Sequence, residues 1–226
     1  DGLAFAVVGV IPERRLLLEA VYAFLTLKNG VPIGYVLNSA LYRSAEIAYN
    51  VFATYRGAEA AHIYGRVLAT VRHLFHGVDA FTIYPYQLGG AGNQEGLASG
   101  AWWFYQKLGF RPSEARAVRR MNRELAAMRR DPEHRSSSRT LAALGEANMY
   151  LFLGEERDEV IGMLPLLEAG LVASRRLAAG WGFDRQRAGI ECRCEAARLL
   201  GIRNPEDWTD SEKLALWRWA PLVLEL

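Results

Sequence analysis

Between Ile47 and Leu74 the chain changes period. An apolar run from Ile47 to Thr54 breaks at Tyr55-Arg56-Gly57, and apolar residues then recur about every 3.6 positions through Ile63, Val67, Val71 and Leu74. The spacing predicts a strand, a tight turn and a helix. The chemistry such a corner offers is anion binding, because a first helical turn leaves backbone N–H groups unpaired and carries the positive end of the peptide dipoles. We read it as a phosphate seat. Other reactive side chains are set less favourably. His73, His76 and Asp79 approach a metal-ligand spacing but have no fourth ligand or second pair in the sequence, and read as a solvated helix end. Cys192 and Cys194 alternate within a helical pattern, so they face different ways. Ser44, Ser99 and Ser136 to Ser138 lack the His and Asp partnership of a hydrolase triad, and His62 and His134 read as surface residues.

Composition bounds the classes. At 226 residues with 51% apolar and 23% charged side chains, the chain can bury a core as one large or two small domains. A net charge of +2 gives no general argument for a nucleic-acid partner. Its distribution is uneven: Arg111, Arg116, Arg119, Arg120, Arg123, Arg129, Arg130, Arg135 and Arg139 crowd one stretch. A solvated helical face is the first reading of that stretch; a seat for an anionic ligand and a nucleic-acid surface are the others. Two cysteines are too few for a disulfide framework and suit a reducing, cytoplasmic setting. The run Leu3 to Ile11 is far short of the roughly twenty residues of a membrane span and has no basic flank, so neither a targeting segment nor a membrane partner is expected. The chain begins at Asp1 rather than Met, as a processed product or a sequence missing its upstream part would.

The elements that must position the corner follow from pattern and punctuation. Leu16 to Leu27 and Val31 to Ala40 read as strands joined at Asn29-Gly30, and with Ile47 to Thr54 they form an antiparallel meander. Gly57 to Phe75 is a helix closed by Gly77, and Asp79 to Tyr86 is a strand expected to lie parallel to Ile47–Thr54. The Gly-rich loop from Gly89 to Gly100 precedes a short aromatic helix, Ala101 to Leu108, whose Trp102 and Trp103 read as packing residues. From Ser113 onward no strand is expected. Helices are predicted over Glu114–Arg130, Thr140–Leu153, Glu159–Ala179 with a kink at Pro165, and Arg185–Leu200, and Thr209 to Glu212 has the form of a capping box.

This order resembles the GCN5-related N-acetyltransferase (GNAT) superfamily over residues 16–112. Tyr55-Arg56-Gly57-Ala58-Glu59-Ala60-Ala61 is similar to that family's pyrophosphate loop, and AWWFYQKLGF, Ala101 to Phe110, to its signature late in the fold. The chain departs from the pattern at Glu59, where the family has glycine, and at Ala98, where an Asn is common; Asn93 lies farther off. At about 5 Å and an effective dielectric near 20, a carboxylate at residue 59 repels a phosphate by on the order of 3 kcal/mol per charge.

The resemblance implies an α+β fold: a GNAT-like mixed sheet with a central parallel strand pair over residues 1–112, then a helical domain over residues 113–226. It implies acyl-coenzyme A, acetyl-CoA above all, as co-substrate, bound by Arg56, Gly57, Ala58, Ala60 and Ala61. Backbone groups at Val51, Phe52 and Ala53 would steady the oxyanion while an acceptor amine, on a small molecule or a protein, attacks the thioester. Tyr105 would protonate the departing thiolate, and Glu46 or Glu95 would take the proton of the amine. No metal is required. The alternative is a catalytically silent module of the same shape that binds a protein partner or another ligand.

Overall fold

Asn29 and Gly30 take φ of 50° and 80°, the pair of positive angles that closes a two-residue hairpin, and the strands on either side therefore meet in register. A computed structural model describes residues 2–11, 14, 20–57 and 59–225. The expected strand residues 16–19 and the loop residue Ala58 lie outside them. The chain is α+β, with a seven-stranded mixed sheet. β1 (Leu3–Gly9), β2 (Ala20–Lys28), β3 (Val31–Leu41) and β4 (Ser44–Val51) form an antiparallel meander. α1 (Ala60–Leu74) then crosses to β5 (Ala80–Ile83), which lies parallel to β4. Alternate residues of the strands, Phe24, Val36, Ile47, Phe81 and Ile83 among them, are fully buried beneath Tyr64, Val67 and Val71 of α1; of the apolar stripe its period promised, Ile63, Val67 and Val71 are buried and Leu74 is exposed.

After β5 come α2 (Gln94–Ser99), the aromatic α3 (Ala101–Lys107), and β6 (Arg111–Pro112). α4 (Ala115–Arg130), α5 (Ser138–Leu144) and β7 (Met149–Phe152) follow, and β7 inserts between β5 and β6, antiparallel to both. This corrects two expectations. A strand, β7, does follow Ser113, and the helix expected over Thr140–Leu153 stops at Leu144. Gly145 allows the stop: its backbone packs on Gly90, whose added Cβ would fall 2.1 Å from the Gly145 carbonyl oxygen. Met149 and Tyr150 are then buried by strand pairing that helical periodicity cannot report.

The contacts divide the chain into two units, Asp1–Val10 with Glu19–Leu164, and Ile11–Leu18 with Pro165–Leu226. Residues 113–164 thus belong with the sheet, not with the helical part assigned from residue 113. In the second unit, α6 (Leu166–Trp181) begins at Pro165, which caps the helix rather than kinking it, since proline fits a helix start and breaks its interior. α7 (Arg185–Leu199) and α8 (Asp210–Val223) pack closely where Gly189 meets Trp217; a Cβ there would fall 2.0 Å from the indole. Thr209 and Glu212 form the predicted capping box, and Cys192 is buried while Cys194 is exposed.

Candidate functional site

β4 and β5 pair over only three positions, Ser44 opposite Ala80, Ala45 opposite Phe81 and Glu46 opposite Thr82. The paired end is stitched by buried hydroxyls: Thr82 Oγ1 donates to the Ile161 carbonyl at 2.6 Å, and the Ile161 N–H donates to Ser44 Oγ at 2.9 Å. Beyond it, β4 continues to Val51 while β5 ends at Ile83. The cause is Pro85, which has no N–H to give a ladder and turns the chain into a short 3-10 segment, Pro85–Leu88. The strands part, and the edge of β4 facing away from β3 has no β5 partner past Glu46.

The parting opens a cleft of about 570 Å³ in the first unit. Ala48, Tyr49, Asn50 and Val51 form one wall, and Phe104 and Tyr105 of α3 with Asn93 and Glu95 near the start of α2 form the other. Arg56, Gly57 and Ala60 close one end, at the N-terminus of α1. Asn93 caps α2 by accepting from the Gly96 N–H, and its amide donates to the Tyr86 carbonyl at 2.7 Å, so this wall is tied down at its rim.

Of the residues expected at the site, Val51, Arg56, Gly57, Ala60, Glu95 and Tyr105 line this one cleft. Phe52, Ala53 and Ala61 do not; the Phe52 N–H donates to the Ile33 carbonyl at 2.9 Å and is spent on the sheet. Glu46 is half-buried on β4, two residues from Ala48 and so on the same strand face. Glu59 turns to Lys28, 3.2 Å away, and stays 66% exposed, which offsets the repulsion expected of it. Arg56 donates Nε to the Val51 carbonyl at 3.0 Å and pairs through its guanidinium with Glu95, so it bridges the two walls. Among the described residues no His, Cys, Asp and Glu group is arranged to hold a metal, and Asp79 is instead paired with Arg43 and Arg157. His134 is half-buried and paired with Glu124 at 3.0 Å, not the free surface residue expected.

Tyr49 and Asn50 line the cleft and went unnoticed as site residues, and Tyr64 lies in the core behind them. The signal was a pair of polar-tipped side chains, Tyr49-Asn50, inside an apolar strand. Tyr64 packs edge-on against Tyr49 and Tyr105, with ring centroids 5.2 and 5.6 Å apart, and the Tyr49 and Tyr64 hydroxyls are buried without a hydrogen-bond partner among the described residues. Burial pushes all three phenols up, Tyr49 to about 12, with mutual repulsion of the ionised forms adding to the shift at Tyr64 and Tyr105. Each is therefore a neutral O–H at any physiological pH. Stability held by these neutral phenols is intact below about pH 10, where unfolded tyrosine titrates, and is lost as pH rises through the folded values. Tyr64→Phe removes an unsatisfied buried hydroxyl and is expected to stabilise by up to about 1 kcal/mol at pH 8, with a larger gain at pH 11. Urea midpoints at the two pH values check this; a destabilised variant would mean the hydroxyl has a partner.

Searches with this chain find no matching family model, no matching curated protein and no matching solved structure. Among the described residues no helix is long and apolar enough to cross a membrane.

Proposed function

We propose that the chain is a GNAT-type, acyl-CoA-dependent N-acyltransferase whose cleft between β4 and β5 holds the coenzyme's pantetheine arm. The observation that carries this reading is the parting of two parallel strands after Glu46 and Thr82, which leaves one strand's main chain facing a cleft with a cationic corner at one end and a phenol in its wall. The pyrophosphate lies at Arg56, Gly57 and the first turn of α1, where partial positive charge and the guanidinium attract it. The acceptor amine attacks the thioester carbonyl; a C–N bond forms, backbone N–H groups of β4 near Val51 receive the oxyanion, and the C–S bond then breaks. Tyr105 faces the leaving sulfur. A phenol of ordinary pKa about 10 is a weaker acid than a thiol near 8.5. Burial weakens Tyr105 further, so its O–H donates a hydrogen bond to the departing thiolate, and any proton it passes to the sulfur is replaced by the one the tetrahedral intermediate's ammonium loses, leaving amide, free thiol and neutral phenol. Before attack, Glu46, through water, is the candidate base for the proton that turns the acceptor's ammonium into an amine; Glu95 is paired with Arg56.

The Arg56–Glu95 pair favours a second reading, a silent module of the same shape in which a tethered carboxylate fills the phosphate seat. A thermal shift separates the two. Acetyl-CoA at a hundred times its dissociation constant adds about 2.7 kcal/mol of stability. That is a rise of roughly 5–10 °C for a chain of this size. No rise at millimolar acetyl-CoA removes the acyltransferase reading and leaves the silent module.

A further inference from the structure

Residues 111–139 carry nine arginines against four carboxylates, a charge of +5, and so leave −3 for the rest of a chain whose total is +2. The sequence alone favours a solvated face for them. α4 arranges them more narrowly than that. At about 100° per residue, Arg116, Arg119, Arg120, Arg123 and Arg130 fall within an arc of roughly 100°, with only Ala127 among them. The stripe runs ~21 Å along the helix at 1.5 Å per residue. The opposite face is spoken for: Ala117 and Met121 are buried, and Val118 and Leu125 pack on the core of the first unit.

The carboxylate on the helix is withdrawn from the stripe. Glu124 lies on the inward side, where it accepts from Ser136 Oγ at 2.6 Å and pairs with His134 at 3.0 Å. None of the five arginines joins an ion pair among the described residues, and Arg130 spends only its Nε, on the Ala126 carbonyl at 3.3 Å. Five guanidinium groups on one arc repel one another, and among the described residues the one carboxylate that offsets them is Glu124, which acts on Arg123 at the edge of the stripe while its hydrogen bonds go to Ser136 and His134.

We infer that the outer face of α4 binds the sugar-phosphate backbone of a nucleic acid. Apart from the adjacent Arg119 and Arg120, successive arginines are three or seven residues apart and stand about 4.5–10.5 Å apart along the axis, a spacing that can follow consecutive phosphates, and guanidinium forks match phosphate oxygens. An acidic protein is the poorer fit. A protein interface needs an apolar or aromatic centre, and no large exposed hydrophobic side chain belongs to α4. A membrane surface is poorer still, since the apolar face that would enter the lipid is already packed in the core. Contacts of this kind read backbone rather than base, so no sequence preference arises from the stripe.

The test is fluorescence anisotropy with labelled 20-base-pair RNA and DNA duplexes and the matching single strands, run on the whole chain from 50 to 300 mM salt. Five phosphate contacts give a log–log salt slope of about −4.5 for duplex DNA and about −3.5 for single strands. Replacing Arg116, Arg119 and Arg123 together by Ala, substitutions that a helix tolerates, reduces the duplex slope to about −2 and weakens binding at 100 mM salt at least a hundredfold. Replacing Arg175, Arg185 and Arg198 by Ala removes the same charge from exposed positions of the second unit and leaves binding within about threefold. The RNA and DNA arms decide which nucleic acid is held. No binding at 50 mM salt, an equal loss in both triple variants, or polyglutamate competing as well as nucleic acid per unit charge overturns the inference.

Discussion

Tyr105→Phe is expected to lower the rate of acyl transfer about a hundredfold or more while coenzyme affinity stays within about twofold. Removing one oxygen leaves the ring packed between Tyr64 and Phe110, with centroids 5.6 and 5.8 Å away, so the wall keeps its shape. On the acyltransferase reading, what disappears is a hydrogen bond to the departing sulfur, an interaction that matters only once negative charge has built up there. Such a loss lowers kcat and kcat/KM together and spares KM. General acid assistance is worth typically 10²–10⁴ in rate, which sets the scale. A calorimetric titration of acetyl-CoA and a steady-state assay with a reactive amine measure the two quantities. An unchanged kcat removes Tyr105 from the chemistry; a lost coenzyme affinity means the phenol binds rather than assists.

The second large effect is on stability and does not depend on the function. The Asp79 side chain is 8% exposed and pairs with both Arg43 and Arg157, the latter at 2.7 Å, while Arg157 also donates to the Arg43 carbonyl at 2.9 Å. The Asp79 main chain is engaged too, its N–H donating to the Arg43 carbonyl and its carbonyl accepting from Leu153. One carboxylate thus joins the turn before β4, the start of β5 and the segment after β7. Asp79→Ala leaves Arg157 largely buried without its anion and is expected to cost about 3 kcal/mol. The figure lies at the low end for a broken buried pair because Arg43 is 70% exposed and recovers water. A lower urea midpoint at constant slope reports it, and Asp79→Asn, which keeps the shape, should cost less. A loss below about 1 kcal/mol from Asp79→Ala would mean that solvent already screens the cluster.

Features set by neighbouring residues were legible in the sequence. The Asn29-Gly30 hairpin, the stripe of α1 and the Thr209/Glu212 cap each depend on a few adjacent side chains, and each is present. β6 and β7 were not legible. They have two and four residues, and β7 earns its strand geometry by lying between β5 and β6, a partnership across some seventy residues on one side that no local period encodes. Pro165 was read as an interruption because the helical pattern was taken to start before it, at Glu159; Val160 is instead buried against Ala80 and Tyr150, and the Ile161 main chain is held by the Ser44 and Thr82 hydroxyls. At the cleft, Arg56, Gly57, Ala60 and Tyr105 could be named from their motifs. Tyr49 and Asn50 could not, because a strand's alternation says which residues share a face but not where its neighbour departs.

The bridge from Arg56 to Glu95 has a bearing on which anions can occupy that end of the cleft. A carboxylate carried on α2 stands beside the guanidinium without the entropy cost of recruiting a free anion, so a dissolved monoanion competes with it at a disadvantage. A guest bearing two or more negative charges can outbid it, because it draws on the guanidinium and the helix end at once. The protein therefore carries its own counter-ion at this corner, and the threshold for displacing it is one of charge number.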